Sequence, residues 1–288
     1  LAQWVWAMGG SSKREGGFGG GPTGFTDLDR LTLGWQPSDL IIIAARPWMG
    51  KTAFVLSLAR NVAVDFEKGV AFFSLEMSAE QLMMRLIVGE SGLDSRDVRN
   101  GQLTPEQWKH LESSIKPLAG APLFIDDTPA LSIYEFRSKV RRLKTQYDIQ
   151  LVIIDYLQLM TAAVDTRGGN REQEVAMISR SLKAIAKELN IPIIALSQLN
   201  RSVESRGGNK RPQLSDLRES GAIEQDADLV AFIHRPEYYG LMTDEDGTPT
   251  QGMAEIILAK HRNGAVDTIK LRFRKEQAKF MDYDDISG

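Results

Sequence analysis

The sequence contains no cysteine. A disulfide framework, a thiolate metal site and a cysteine nucleophile are all excluded by that one absence. Histidine is almost as scarce: His110, His234 and His261 lack the spacing a zinc site requires. No apolar run approaches the ~20 residues that carry a helix across a bilayer, so no membrane partner is expected. Excess positive charge is missing too. With a formal net charge of −3, the chain has no basic coat, and nucleic acid can be met only through a local cluster. What remains is ordinary globular material: 288 residues, 42% hydrophobic and 25% charged, which excludes a disordered or fibrous class. That length suits two small domains or one large α/β domain with an ample core.

Residues 1–21 differ from the rest. Leu1–Met8 is apolar with two tryptophans, and Gly9–Gly24 holds eight glycines in sixteen positions, the composition of a flexible linker. No basic segment precedes the apolar octet, so a secretory signal is a poor reading. An expression scar or linker is expected here, with one domain over 22–288.

From Pro22 onward, short β-rich runs alternate with helical stretches. Strands are expected at Leu40–Ala45, Val70–Leu75, Leu123–Ile125, Leu151–Ile154, Ile193–Leu196, Leu229–Ile233, Ala254–Leu258 and Thr268–Phe273. The first five are continuous apolar runs, as parallel strands buried on both faces require. The clearest helix spans Arg171–Leu189, with Val175, Ile178, Leu182, Ile185 and Leu189 on one stripe. Asn170 and Gln173 suggest a capping box at its start. This alternation predicts an α/β fold with a doubly wound, mostly parallel sheet. The last two strands, joined by His261–Asp267, read as an antiparallel hairpin.

The strongest motif is Leu40-Ile-Ile-Ile-Ala-Ala-Arg-Pro-Trp-Met-Gly-Lys-Thr52. A buried strand, a tight loop and a helix opening at Lys51 form a phosphate-binding loop. The segment Ala45, Arg46, Pro47, Trp48, Met49 and Gly50 would cradle phosphates through backbone N–H groups. Lys51 would neutralise charge, and the Thr52 hydroxyl would ligate Mg²⁺. Ala45 stands where a glycine is usual. Asp155, closing the apolar run Leu151–Ile154, is placed to hold the Mg²⁺ shell. Hydrolysis also needs a group to activate water. Glu76 follows one strand, while Asp126 and Asp127 follow another and compete for that role. Gln198 follows a third and could sense the γ-phosphate.

Six motifs occur in order: Arg46-Pro-Trp-Met-Gly-Lys-Thr52, Ser74-Leu-Glu-Met77, Ile154-Asp-Tyr-Leu-Gln-Leu-Met160, Ser197-Gln-Leu-Asn-Arg201, Ser215-Asp-Leu-Arg-Glu-Ser-Gly221 and Lys260-His-Arg-Asn-Gly264. Together they resemble the C-terminal ATPase domain of the bacterial replicative DNA helicases. The resemblance runs from about Pro22 to Tyr283. It implies a RecA-like core, ATP and Mg²⁺, a homohexameric ring and translocation on single-stranded DNA in the bacterial cytoplasm. It makes Glu76 the catalytic base, Asp155 the Mg²⁺ carboxylate and Gln198 the sensor, and that family tolerates Ala45. Primase and a helicase loader are implied partners of a full-length member. The family's N-terminal helical collar does not occur in these 288 residues, so a fragment is expected. Trp48 replaces a small residue of the family, and its indole is expected to crowd the nucleotide or stack near it.

Between Gln198 and Arg218 lies a stretch without apolar periodicity and with net charge +3, holding Arg201, Arg206, Lys210, Arg211 and Arg218. Taken alone, it reads equally as a solvated loop or a backbone-tracking surface. The resemblance favours DNA, through Asp216-Leu-Arg218-Glu219-Ser-Gly221, with Arg171 flanking a second loop at Ala162–Asn170. Arg262 reads either as a hairpin arginine paired with Asp267 or as a finger stabilising γ-phosphate charge, worth ~10³–10⁵ in rate. The resemblance implies the finger, acting in trans with Lys260 assisting. Two other readings compete: an ATP-switched, RecA-type strand-pairing scaffold, and a small-molecule kinase that shares only the phosphate loop.

Overall fold

A computed structural model of the chain describes residues 20–162 and 170–283, without the side chains of 218–220. Most of the expected leader and of the 162–170 loop lies outside that range. Gly20 and Gly21 are inside it, and their N–H groups donate to the carbonyls of Leu33 and Trp35 at 3.1 and 3.0 Å.

Strands form where the chain is apolar on both faces. Leu40–Ala45 (β1), Gly69–Ser74 (β2) and Leu229–His234 (β6) are buried along their whole length. With Leu123–Asp126 (β3), Ile149–Asp155 (β4) and Ile193–Gln198 (β5), they make a parallel sheet. Met253–His261 (β7), Asp267–Arg274 (β8) and Lys279–Asp282 (β9) extend it antiparallel. The order is β3-β2-β4-β5-β1-β6-β7-β8-β9. The doubly wound sheet and its terminal hairpin are therefore as the sequence predicts. β9 is an addition. Its four residues carry charge at both ends and show no run; Phe280 holds it in place by packing on Phe54 and Phe273 (centroids 5.5 and 4.7 Å).

Several strands run past their apolar cores. β3, β4, β5 and β6 end on Asp126, Asp155, Gln198 and His234, which join the ladder through their backbones although their side chains break the apolar run. Two of these strand ends, Asp155 and Gln198, lie at the candidate site.

Helices cover both faces: Thr26–Thr32 (α1), Lys51–Arg60 (α2), Ala79–Ser91 (α3), Ser95–Asn100 (α4), Pro105–Ala119 (α5), Ile133–Tyr147 (α6), Arg171–Leu189 (α7), Ser202–Ser205 (α8) and Gly221–Asp226 (α9). Their starts follow from capping chemistry. Ser78 with Gln81, and Thr104 with Gln107, form reciprocal capping boxes at α3 and α5. α7 has the predicted bounds, but Asn170 accepts from the Glu172 N–H and makes no box with Gln173. The short carboxamide reaches the second helical N–H first. Along the strands, alternate residues face opposite layers: Ile41, Ile43 and Phe72 meet Phe54 and Leu58 of α2, while Ile42, Phe73 and Ile154 meet Phe136 of α6 and Ile178 of α7. No helix among the described residues is long and apolar enough to cross a membrane.

His234, 1% exposed, stacks on Tyr239. Burial, reinforced by the nearby Arg211 charge, lowers its imidazole from the usual value to about 4. Below pH ~6.5 the unfolded chain takes up a proton that the folded chain refuses, so His234 costs stability as pH falls through that window. Asp39, raised to about 6 by burial and by Asp228, works in the opposite sense. The test is therefore comparative. In urea unfolding at several pH values, His234→Gln should lose less stability than the parent between pH ~6.5 and ~4.5. A pH-independent difference would show that the imidazole is not buried in its neutral form.

Candidate nucleotide-binding and catalytic site

The loop 46–50 connects β1 to α2 at the carboxyl edge of the parallel strands. Ala45 ends β1 beside Gln198 of β5. Arg46 braces the loop outward, donating from Nη1 to the Leu199 carbonyl (2.8 Å) and from Nε to Glu204 (3.2 Å). After Pro47 the chain turns sharply: Trp48 and Gly50 lie at φ +72° and +88°. At Gly50 the left-handed turn and close packing coincide, since a Cβ there would sit 3.1 Å from the Phe280 ring. Trp48 tolerates its conformation because its indole swings into solvent, 76% exposed. The indole borders the cleft that Lys51 and Thr52 also line. Arg235 holds this turn, donating from Nη1 to the Trp48 carbonyl (2.7 Å) and from its backbone N–H to the sulfur of buried Met49 (3.3 Å).

Lys51 and Thr52 open α2 beneath this loop. The Thr52 hydroxyl donates to Asp155 Oδ2 at 2.8 Å. Asp155 is fully buried, and its Oδ1 and the Lys51 Nζ are buried without any hydrogen-bond partner. Lys51 rests over the Tyr156 ring, 4.3 Å from its centroid. Burial lowers the Lys51 ammonium despite attraction from Asp155 and Glu76. Burial likewise raises the Asp155 carboxyl, opposed by the Thr52 hydrogen bond and the Lys51 charge. Each charge is thus stripped of water with no full replacement, the condition of a site shaped around a charged ligand. The two oxygens fit a hard divalent cation that takes few protein ligands and completes its shell with phosphate. No acidic or histidine cage able to hold a metal by itself occurs among the described residues.

A cleft of about 850 Å³ opens beside this pair, lined by Trp48, Lys51, Thr52, Glu76, Gln198 and Arg235 among others. Glu76 acts on both Lys51 and Asp155 electrostatically. Its competitors are elsewhere. Asp126 binds Lys139 (2.7 Å) and the Thr128 N–H (3.0 Å), and Asp127 accepts from the Ala79 N–H (2.9 Å). Gln198 borders this cleft and a second one of about 300 Å³ that also contacts Arg171 and Asp216. Its N–H donates to Gln158 Oε1 (3.4 Å), whose amide donates to Ser197 (2.8 Å).

The basic residues divide into two groups. Arg206 is engaged by Asp216 and the Arg211 carbonyl, and Arg211 by Glu255 and Thr268. Arg171 binds Glu174 and the Gln158 carbonyl. Lys210 lies over the Tyr239 ring at 5.2 Å, an aromatic neighbour from a distant part of the chain, where the local sequence offers none. Arg201 is exposed and makes no ion pair among the described residues. Gly221 begins α9. The side chains of Arg218 and Glu219 fall outside the described atoms.

Arg262 lies elsewhere. It follows β7 beside Leu229, where β6 begins, so the length of β6, roughly 17 Å, separates it from the phosphate-loop edge. It pairs with Asp228 at 2.8 Å, not with Asp267, which accepts instead from the Thr268 N–H at the start of β8. Lys260 donates to the Glu224 carbonyl at 2.6 Å. Burial and the Arg262 charge lower its ammonium.

Several parts of the cleft escaped sequence reasoning, among them Gln81, Met84 and Arg85 of α3, Arg99, Arg235 and residues 275–278. Arg235 follows β6 as Glu76 follows β2, and the same strand-end logic would have found it. The 275–278 wall comes from the turn before β9, which has no sequence signature.

Residues 20–282 match the family described as the DnaB-like helicase C terminal domain. The chain is 51% identical over 271 residues to "Replicative DNA helicase DnaB" of Geobacillus stearothermophilus, covering 94% of this chain and 58% of that protein. It is 50% identical over 271 residues to "Replicative DNA helicase DnaC" of Bacillus subtilis, with the same 94% and 58% coverage. Among solved structures, one described as an ATPase domain superposes with a TM-score of 0.89 at 38% identity, over 98% of each chain. A DnaB-like replicative helicase described with its interactions with primase gives 0.88 at 38% identity, over 97% of this chain and 67% of that one.

Thr52→Val removes the hydroxyl that bonds Asp155 and should weaken Mg²⁺-nucleotide binding about tenfold or more. Asp126→Asn loses only a partly exposed ion pair, costing under ~1 kcal/mol, and should leave that affinity unchanged. Titration with a fluorescent nucleotide separates the two. Weaker binding in Asp126→Asn alone would place the site at the wrong strand end.

Proposed function

Because the chain belongs to the DnaB-like helicase C-terminal domain family, we propose that it is the ATP-hydrolysing motor of a replicative DNA helicase. The observation carrying this reading is the buried Lys51–Thr52–Asp155 cluster, with an ammonium and a carboxylate oxygen left without partners. The chain spans 58% of the Geobacillus relative, so unwinding, ring assembly and partners are proposed for the protein it represents.

Lys51 meets the β- and γ-phosphate charge of ATP, and its desolvation makes that contact strong. Thr52 and Asp155 hold Mg²⁺. When bound, the cation supplies charge neutralisation at the phosphate oxygens. Glu76 orients the attacking water and takes its proton. Gln198, touching both clefts, reports the γ-phosphate toward the basic loops. The position of Arg262, at the opposite end of β6, favours action on the neighbour's nucleotide over its own. Lys260 assists there. Subunits of a homohexameric ring satisfy that geometry. Single-stranded DNA is tracked through phosphate contacts by Arg201, Lys210 and Arg218, with Arg171, Arg206, Arg211, Glu219 and Gly221 shaping the loops. Primase and a loader are the further partners of the full-length protein, the first supported by the solved relative described with primase. The strand-pairing scaffold is disfavoured by the helicase relatives, and the kinase by the basic loops.

Turnover of ATP stimulated by single-stranded DNA, with separation of a forked duplex, tests the reading. Lys51→Ala should abolish turnover, and Glu76→Gln should bind ATP without hydrolysing it. Arg262→Ala should be nearly inactive alone and regain activity when mixed with Lys51→Ala subunits. Stimulated ATPase without strand separation would transfer the protein to the scaffold reading. Arg201→Ala should weaken single-stranded DNA binding, lower the salt slope by about one and leave DNA-free ATPase unchanged. Equal slopes for variant and parent would remove Arg201 from the DNA surface.

A further inference from the structure

An arginine acting across a subunit boundary must be aimed by its own chain. One buried carboxylate holds Arg262. Asp228 immediately precedes β6 and is 4% exposed. Its Oδ2 accepts from the Leu40 N–H (2.9 Å) and from Lys183 Nζ (2.6 Å). Its Oδ1 accepts from Arg262 Nη1 at 2.8 Å, and its carbonyl accepts from the Arg262 N–H, also at 2.8 Å. Asp228 therefore grips the backbone and the guanidinium of Arg262 together, while β1 and α7 hold Asp228 from its other side.

The pair is asymmetric. Asp228 is buried, whereas the Arg262 side chain is 46% exposed. A second donor, Nη2, goes to the Gln225 carbonyl of α9 at 3.1 Å. Two of five guanidinium donors are thus spent, and among the described residues the other three have no partner. Here Nη1 and Nη2 are each anchored to the chain by one hydrogen bond, and Nε–H with one hydrogen on each Nη is left to meet an outside acceptor such as a phosphate oxygen.

The supports also lie on informative elements. Lys183 belongs to α7 and Gln225 to α9, and Ser179 of α7 bonds Asp226 of α9 at 3.0 Å. α9 continues directly from the 214–220 segment of the proposed DNA surface, and α7 starts just after the 162–170 loop.

We infer that Asp228 is a positioning residue for Arg262, setting where the guanidinium emerges for the neighbouring subunit's nucleotide. This inference rests on the trans role proposed for Arg262. Asp228→Asn tests it with little change of shape. The carboxamide keeps one acceptor for the Leu40 N–H and Lys183, and turns its NH₂ toward Arg262, so the pair is lost. In the assembled protein, kcat for ATP should fall about 10- to 100-fold, with KM for ATP and single-stranded DNA affinity little changed. Mixing with Lys51→Ala subunits should restore activity as it does for Arg262→Ala. Each Lys51→Ala chain brings an intact Asp228–Arg262 pair to an intact phosphate loop of the variant. A defect of general folding would damage that loop and would not be rescued.

Parental kcat in Asp228→Asn would overturn the inference. So would a loss that mixing fails to repair while Arg262→Ala mixtures recover. Failure of both mixtures would overturn the trans reading itself, and this inference with it. Should Asp228→Asn not fold, Asp228→Glu retains the charge but displaces it by one methylene. The same kcat loss at unchanged KM, repaired by mixing, is expected there, and parental kcat would again refute the positioning role.

Discussion

Parallel pairing imposes one constraint on which the other features rest. Six strands running the same way bring all their carboxyl ends to one edge of the sheet, and the ladder register decides which of those ends are neighbours. Ala45 lies opposite Gln198, and Asp155 opposite Ser74, two residues before Glu76. Lys51 and Thr52 reach Asp155 because α2 starts one loop beyond that same edge. Shifting β4 by one residue would turn Asp155 to the other face and remove the acceptor of Thr52. The arrangement of the candidate site is thus a consequence of register before it is one of side-chain chemistry.

Burial then sets the character of the site. The Lys51 ammonium and the Asp155 carboxylate are both disfavoured in their charged forms, and each has unsatisfied hydrogen-bonding capacity. Neither can relieve the other fully, since Thr52 and the Tyr156 ring occupy the adjoining positions. An incoming ligand carrying both anionic oxygens and a bound cation relieves the two at once. Asp126 carries the same carboxylate on β3, separated from β4 by β2, but has Lys139 and Thr128 to satisfy it.

The opposite edge of the sheet has its own organisation. Where β6 begins and β7 ends, Asp228, Lys183 and Arg262 form a small charged knot whose most exposed member is a guanidinium. One end of the central strands thereby holds the Lys51–Thr52–Asp155 cluster, and the other holds the Asp228–Arg262 pair proposed to act on a neighbour's nucleotide. The helices pinned to that knot, α7 and α9, lead back to the loops proposed to follow DNA.

Local chemistry written along the chain accounts for a large share of this. Continuous apolar runs required buried parallel strands, the period of Arg171–Leu189 and its flanking asparagines set the bounds of α7, and Gly50-Lys51-Thr52 after a strand required a phosphate loop. Each rests on interactions between residues close in the chain. Long-range packing settled what depends on partners distant in sequence. β9 exists because Phe280 finds Phe54, and the turn at Trp48 is held through its carbonyl by Arg235, 187 residues away. Glu76 rather than Asp126 faces Lys51 because β3 is an edge strand and β2 is not. Arg206 and Arg211, indistinguishable in sequence from Arg201, are engaged by Asp216 and Glu255, and Arg262 chose Asp228 over the nearby Asp267. Charge can be counted along a chain. Which charges neutralise one another is settled only when strands and helices bring them within about 3 Å.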